Sequence, residues 1–465
     1  MVVKIMNNLD VFFNPKSIAI IGASESIKFG HSMTKYLLNS QFKTYPVNIG
    51  KKVIFGHQAY MNIGEVPEDI ELAIIVVKNE HVLQSVKDCV KKGVKGVIIE
   101  SAGFSETGDT TLSKIQSEIE DIAKNEDIRI IGPNCVGVTN FRNKFTTTEI
   151  NFDEAVEGGK ISVIAQSGVL GNIFVDWAAS QKIGLNKIIT LGNKVDVDEI
   201  DILDYLEKDQ NTKVITLYLE GVKRGAEFIH RMKTMSKPIL VMKNGRSNIG
   251  SKAIQSHTGS IAGNDKIYES LFKQFKGVYR IDNFYEMFNI ANAFASQPLP
   301  KGKNIAITTS SGSLGALACD LIDKIGLNLA NLSKSTMEEI SLIAPNWISA
   351  RNPVDLGPSS FSTFRPSLKL LMNDSNVDAL LNIFAVPKMP IQTYSIPISP
   401  QLRDMKSLSR STGKPIITCV YGSRWVLDYF LNYANKFSLS IMTQIDHALK
   451  AFKMMFDFGN LHDSF

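Results

Sequence analysis

The residues best suited to covalent chemistry cluster in Lys252-Ala253-Ile254-Gln255-Ser256-His257-Thr258-Gly259-Ser260-Ile261-Ala262-Gly263. A histidine set among small hydroxyl and glycine residues fits an accessible, mobile loop better than an apolar face. Neutral imidazole attacks phosphorus and, with an ordinary pKa of about 6.5, also leaves it readily. The competing reading is a surface-loop histidine without a chemical task. Glu220, in Leu217-Tyr218-Leu219-Glu220-Gly221, stands where an apolar strand ends. A carboxylate there can accept the second ring N–H and steady a charged or phosphorylated imidazole, although a solvated loop glutamate would look the same. The remaining histidines (His31, His57, His81, His230, His447 and His462) show no metal-ligand spacing, and no metal site is expected in this chain.

Several segments suit anions. Ala165-Gln166-Ser167-Gly168-Val169-Leu170-Gly171 runs from strand through a small-residue turn into a helix. Free backbone N–H groups and the Ser167 hydroxyl would form a neutral cradle for phosphate or carboxylate. Its echo at Ser310-Ser311-Gly312 reads as inherited fold punctuation. Gly22-Ala23-Ser24-Glu25-Ser26-Ile27-Lys28-Phe29-Gly30 follows the first strand, but its spacing is not GxGxxG. The second strand leads into Val47-Asn48-Ile49-Gly50-Lys51-Lys52, with lysine where a dinucleotide enzyme wants an acid. A cation there suits an additional phosphate, such as the ribose 3′-phosphate of coenzyme A; a tight turn with surface lysines is the alternative.

Ser101-Ala102-Gly103-Phe104 and Gly132-Pro133-Asn134-Cys135 also follow strands and should converge on the same crevice. Cys135 reads as a small packing residue rather than a nucleophile. Helix N-caps account for the Asx-rich turns Asn193-Lys194-Val195-Asp196-Val197-Asp198 and Asn352-Pro353-Val354-Asp355. No Walker A sequence occurs.

Elements that could position these residues recur along the chain. Short apolar runs at 17–21, 72–77, 94–99 and 128–131 alternate with amphipathic stretches such as 81–92 and 112–124. Runs of this kind are strands buried on both faces, and the alternation predicts an open, doubly wound α/β sheet. The first unit ends at about residue 145. A second series begins at Gly158-Gly159-Lys160 and a third after Pro298-Leu299-Pro300. Ser167-Gly168-Val169-Leu170-Gly171 is echoed by Ser311-Gly312-Ser313-Leu314-Gly315, Ile183-Gly184-Leu185-Asn186 recurs as Ile325-Gly326-Leu327-Asn328, and Lys237-Pro238-Ile239 as Lys414-Pro415-Ile416. Three matches in one order predict a duplicated α/β domain behind the first.

Composition narrows the function classes. A chain of 465 residues with 44% hydrophobic and 21% charged residues is globular rather than fibrous or disordered. A net charge of +5 is too dilute for a nucleic-acid footprint. Four separated cysteines without a CxxC pair fit a reducing cytoplasm. No apolar run approaches the ~20 residues of a membrane span, and the N-terminus lacks a signal-peptide pattern.

Taken in order, Asn14-Pro15-Lys16-Ser17-Ile18-Ala19-Ile20-Ile21-Gly22-Ala23-Ser24, Ser101 to Phe104, Gly132 to Cys135, Gln166-Ser167-Gly168, Ser256 to Ser260 and Asn352 to Leu356 resemble the α subunit of ADP-forming (NDP-forming) acyl-CoA synthetases, relatives of succinyl-CoA synthetase. The matches span essentially the whole chain. The resemblance implies a Rossmann-like CoA-binding domain (1–145) followed by two related flavodoxin-like ligase domains (146–298 and 299–465). It implies the reversible reaction acyl-CoA + phosphate + ADP to acid + CoA + ATP. By resemblance, His257 carries the phosphoryl group and Glu220 supports it, with Gln166, Ser167 and Gly168 around the phosphate. Gly22, Ala23, Ser24, Lys28, Lys51, Ser101, Ala102, Gly103, Asn134 and Cys135 are the implied CoA contacts. The family's ATP-grasp domain, holding ADP or ATP and Mg²⁺, is expected on a separate β subunit in a cytoplasmic α2β2 assembly. Ile49 and Lys78 stand where the family usually has proline, beside the expected CoA pocket. Rival readings are a CoA-binding regulatory protein on a degenerate scaffold, succinyl-CoA synthetase itself and a nicotinamide oxidoreductase. The intact Ser256-His257-Thr258-Gly259 context, the third domain and the missing GxGxxG respectively speak against them.

Overall fold

The computed structural model describes residues 9–258, 263–357, 360–393, 399–437 and 439–462. The chain forms two compact units, one comprising Met1–Ser180 with Gly184–Arg280, the other Gln181–Ile183 with Ile281–Phe465. The first unit holds two large sheets and a two-stranded one (53–54 with 57–58), and the second unit holds one sheet.

Alternation of apolar strands with amphipathic helices produces the same doubly wound pattern three times. In the first sheet the strands lie in the order 43–47, 17–21, 72–75, 96–99 and 129–131, all parallel. Ser17–Ile21 and Leu72–Ile75 are fully buried, as strands covered by helices on both faces must be. In the second sheet the parallel strands run 185–190, 161–165, 214–219, 239–243 and 278–280. Two short strands extend its edge: Val138–Asn140 pairs antiparallel with Leu185–Thr190, and Phe145–Thr146 pairs antiparallel with Val138–Asn140. The second unit's sheet runs 328–329, 304–309, 379–385, 416–421 and 440–442, with Val354–Asp355 pairing against 304–309. Counted along the chain within each parallel series, every sheet has the order 2-1-3-4-5. In each series the order reverses once, beside its first strand, and such a reversal places a crevice where neighbouring loops leave in opposite directions.

The repeated glycines have a packing reason. Helix Gly168–Ser180 leaves strand Ile161–Ala165 after a two-residue turn and lies close on the sheet. A Cβ on Gly171 would stand 2.5 Å from Thr190 Cγ2. In the second unit, a Cβ on Gly315 of helix Gly312–Ile325 would stand 3.3 Å from both Thr309 Cγ2 and Pro353 Cβ. Small residues at matching positions therefore let both helices settle on their sheets.

The Asx-rich turns are not all helix caps. Asp198 does cap helix Glu199–Lys208, with a reciprocal Asp201 bond. Asp196 instead accepts from Arg129 Nε and Ile130 N, both at 2.8 Å, tying segment 195–197 to the edge of the first sheet. Asn352 inserts its carboxamide between Ile307 N, Ile305 O and Ala330 O, at 2.9–3.0 Å. Both side chains replace missing ladder hydrogen bonds, which short polar side chains do wherever strands diverge.

A buried polar cluster closes one end of the second sheet. Asp209 Oδ2 accepts from Asn186 Nδ2 (2.8 Å), Lys187 Nζ (2.7 Å) and Thr212 Oγ1 (2.7 Å). Burial alone would raise the Asp209 carboxyl, yet Lys187, Thr212 and Asn186 together hold it at about 2. A carboxyl depressed in the folded state adds stability that is present above its ordinary range and lost as pH falls from about 4 towards 2. Asp209→Asn should cost about 3–5 kcal/mol, because it leaves the Lys187 charge buried and unpaired. Urea unfolding followed across pH should show the acid loss in the parent protein and a flatter profile in the variant.

Candidate active site

Loops at the carboxyl ends of strands in the first unit surround a cavity of about 610 Å³. Lys28, Lys78, Glu100, Ser101, Asn134 and Ser167 contribute to its lining, together with Phe29, Ala102, Cys135, Gln166, Gly168 and Asn193. The first and second sheets supply opposite walls. Two lysines at exposed positions put positive charge at the rim, whereas the helix beginning at Gly168 directs its first N–H groups inward.

The turn after each strand is braced by its neighbours. Asn134 takes a left-handed conformation (φ 59°), and its N–H donates to Ser101 O at 2.9 Å. Its carboxamide donates to Asn193 Oδ1 at 3.3 Å. Ser101 Oγ donates to Val77 O at 2.5 Å, which joins the loops following two adjacent strands. Glu106 accepts from the N–H groups of Gly103 and Phe104 and from Asn193 Nδ2 (2.7, 3.0 and 2.7 Å). The cavity wall is thus a bonded ring rather than a set of independent loops.

Glu220 stands at the end of strand Val214–Leu219, only 3% exposed. Gln166 Oε1 accepts from Glu220 N at 2.9 Å and from Gly221 N at 3.1 Å. The carboxamide oxygen of Gln166 is consequently committed to holding the backbone of Glu220. Asn244 Nδ2 donates to Tyr218 Oη at 2.8 Å, and that hydroxyl donates onward to Glu220 Oε1 at 3.4 Å. Glu220 Oε2 accepts no hydrogen bond from a described residue. Beneath this corner, Lys194 Nζ pairs with buried Glu199 at 2.9 Å and donates to Gly221 O at 2.8 Å. Burial lowers the neighbouring Lys243 ammonium to about 8, against the attraction of Asp265.

His257 belongs to helix Asn248–Thr258, not to the expected loop; its side chain and residues 259–262 lie outside the described residues. The helix forms because Ser247 Oγ accepts from Gly250 N at 3.0 Å at its start, and no proline or β-branched cluster interrupts the following residues. It packs along the turn Ser105–Thr107, next to the Ser101–Gly103 loop.

The other expected contacts divide. Lys28, Ser101, Ala102, Asn134, Cys135, Gln166, Ser167 and Gly168 line the cavity; Gly22, Ala23, Ser24, Lys51, Gly103 and Glu220 are not among its lining residues. Gly22 (φ 95°) faces Val76, whose carbonyl oxygen would lie 2.4 Å from an added Cβ. Ala23 is buried, and its carbonyl accepts from Asn48 Nδ2 at 2.8 Å. Ser24 Oγ accepts from Ser26 N at 3.1 Å, shaping the turn. Gly103 lies against Asn79, whose Nδ2 donates to its carbonyl at 2.8 Å. Ile49 is 84% exposed, while Lys78 lies in the cavity wall. Cys135 is buried, burial pushes its thiol up, and its sulfur donates to Ile99 O at 3.4 Å, all of which suits packing. Glu100 and the Tyr218 hydroxyl were not singled out by sequence reasoning, and Asn193 was read only as part of a capping turn. For Glu100 the signal was available, since it ends an apolar strand just as Glu220 does.

Parallel sheets with a cavity at their carboxyl ends, rimmed by lysines and lined by the first residues of the helix that begins at Gly168, define an α/β protein with a ligand-sized crevice in its first unit. Residues 16–140 match a CoA binding domain family and residues 158–294 the succinyl-CoA ligase like flavodoxin domain. The chain is 42% identical to the α subunit of acetate–CoA ligase (ADP-forming) II of Pyrococcus furiosus, over 88% of this chain and 89% of that one. It is 36% identical to acetate–CoA ligase (ADP-forming) II of Archaeoglobus fulgidus, over 95% of this chain but 65% of that longer one. Among solved structures, the "dinucleotide forming" acetyl-coenzyme A synthetase 1 of Ca. Korarchaeum cryptofilum, in complex with phosphate and ADP, aligns with a TM-score of 0.87 at 29% identity, over 98% of both chains. The chain belongs to the ADP-forming acetate–CoA ligase family of acid–thiol ligases and corresponds to its α subunits.

Gly192 (φ 59°) is the tightest point of the cavity wall. A Cβ there would lie 2.1 Å from Pro133 O and 2.5 Å from Asn134 O. Gly192→Ala should lower stability by roughly 1–3 kcal/mol through left-handed strain and displacement of the Asn134 turn. Thermal melting and CoA titration calorimetry should report both the loss and a weaker affinity.

Proposed function

We propose that this chain is the α subunit of a reversible ADP-forming acyl-CoA synthetase that converts acyl-CoA, phosphate and ADP into acid, CoA and ATP. The observation that carries the reading to residues is the buried Glu220 Oε2, which no described residue bonds, on a carboxylate held by Gln166 and Tyr218. An unsatisfied buried carboxylate oxygen is costly unless a donor arrives. In this reading the ring N–H of His257 is that donor. Glu220 then fixes the tautomer and stabilises the imidazolium character of the phosphorylated ring.

The chain's residues divide the work. Lys28 and the loop 22–24 hold the phosphorylated end of CoA, with Lys51 further along the same rim. Ser101, Ala102, Gly103, Asn134 and Cys135 shape the path of its pantetheine arm. Ser167, Gly168 and Gln166 surround the inorganic phosphate, where helix N–H groups stabilise the negative charge that develops as phosphate attacks the thioester. The resulting acyl phosphate passes its phosphoryl group to His257, splitting one difficult transfer into two easier ones. The reading divides the chain into a CoA-binding domain (1–145) and two flavodoxin-like domains (146–298 and 299–465). The nucleotide and Mg²⁺ belong to an ATP-grasp β subunit, to which the His257 segment delivers phosphate, in a cytoplasmic α2β2 complex. The α-subunit names of the relatives support that division of labour.

The test is transfer of label from radioactive phosphate. With an acyl-CoA present, the natively purified protein should acquire acid-labile label, and His257→Asn should acquire none while still binding CoA. Glu220→Gln should slow labelling on the order of 10²–10⁴-fold, the range of an orienting carboxylate. Labelling that survives in His257→Asn would overturn the assignment.

A further inference from the structure

A buried carboxyl in the cavity wall keeps one oxygen without a hydrogen bond to any described residue. Glu100 directly follows strand Gly96–Ile99, is 4% exposed and lines the cavity between Ser101 and the Gly168 turn. Its Oε1 makes no hydrogen bond with a described residue, and no ion pair among the described residues includes it. Gly137 leaves room for it: a Cβ at Gly137 would stand 3.1 Å from Glu100 Oε1 and 1.8 Å from Thr147 Oγ1. Burial and the charge of Glu149 push the Glu100 carboxyl well above the ordinary carboxylate range, against a smaller opposing effect of the Thr147 hydroxyl. A buried acid without a cation or a full set of hydrogen bonds weakens the fold, so packing does not explain it.

The thioester half-reaction needs such a group. When an oxygen of hydrogen phosphate attacks the acyl carbon, a carbon–oxygen bond forms, the carbon–sulfur bond breaks and its electron pair goes to sulfur. CoA must leave as the thiol, and the phosphate must give up its proton. The other cavity-lining groups are poor carriers. Asn134, Asn193 and Ser101 exchange no net proton at neutral pH. The Cys135 thiol is pushed up by burial. Glu220, outside that lining, is assigned to the His257 ring in the reading above, and the two rim lysines stand at exposed positions.

We propose that Glu100 is the proton carrier of the thioester half-reaction, giving its proton to the CoA sulfur as that bond breaks and recovering one from the attacking hydrogen phosphate. Glu100 ends unchanged, and the products are acyl phosphate and CoA thiol. In the synthetic direction the same exchange runs backwards, with the thiol's proton passing through Glu100 to the departing phosphate. The proposal rests on the acyl phosphate route of the previous section.

Glu100→Gln keeps the shape of the side chain and removes only the exchangeable acid. The test uses the full chain with its natively co-purified partner, in two arms. In the first, acyl-CoA and labelled phosphate are supplied, and labelling of His257 should fall on the order of 10²–10⁴-fold, the usual contribution of a positioned acid–base group. In the second, labelled acetyl phosphate is supplied directly; no thiol is involved, and labelling should persist. Glu100→Asp, which restores an acid on a shorter stem, should label from acyl-CoA faster than Glu100→Gln. Equal rates for Gln and the parent in the first arm would overturn the proposal. So would equal losses in both arms, which would mark Glu100 as structural. Failure of the parent protein itself in the acetyl phosphate arm would overturn the phosphohistidine reading instead.

Discussion

The candidate site depends on one bifurcated hydrogen bond. Gln166 Oε1 accepts from the N–H groups of Glu220 and Gly221, joining the ends of two adjacent strands of the second sheet. Water could satisfy those two N–H groups only by entering a buried corner, so the carboxamide fixes the corner at low entropic cost. That contact sets where strand 214–219 stops and where the turn into helix 168–180 begins. It also leaves one oxygen of Glu220 without a hydrogen-bond partner among the described residues. A cationic or N–H-bearing group is what such an arrangement is preorganised to receive.

The duplicated domain shows what happens when the scaffold is kept and the chemistry is not. In the second unit, Ser310 Oγ accepts from Ala385 N at 2.8 Å and donates to Ala385 O at 3.0 Å, the counterpart of the Gln166 clamp. Ala385 stands where Glu220 stands in the first unit, by the matching pairing of 304–309 with 379–385. At the following helix N-terminus, a Cβ on Gly312 would lie 2.7 Å from Asp355 Oδ2. The chain's own carboxylate therefore sits at the position an anion would occupy. Punctuation survives in both copies, whereas the features suited to a reactive anion remain in one.

How much of this was legible in the sequence follows from range. The buried strands and their alternation with helices are local patterns, and all three sheets contain the expected runs, such as Ser17–Ile21 and Ile161–Ala165. The glycine spacing of the turn-to-helix segments was visible too, because close packing leaves a local trace. Partners distant in sequence were not visible. Nothing near Gln166 says that its oxygen holds residues 220 and 221, and nothing near Tyr218 announces Asn244. Gly22 and Gly103 also have packing roles that no local pattern announces, because Val76 and Asn79, distant in sequence, close on them. The helix through Thr258 was hidden because hydroxyl and glycine residues suggest a loop, while the Ser247 cap that starts it lies outside that motif.

The central claim is that Glu220 receives the ring N–H of a phosphorylated His257. Proton–nitrogen NMR of the protein with ¹⁵N-labelled histidine, phosphorylated from acyl phosphate, measures that bond directly. The account predicts a slowly exchanging, low-field ring N–H on phosphohistidine 257 that moves upfield in Glu220→Gln. A ring N–H whose position ignores that substitution, or phosphate carried by another residue, would contradict it.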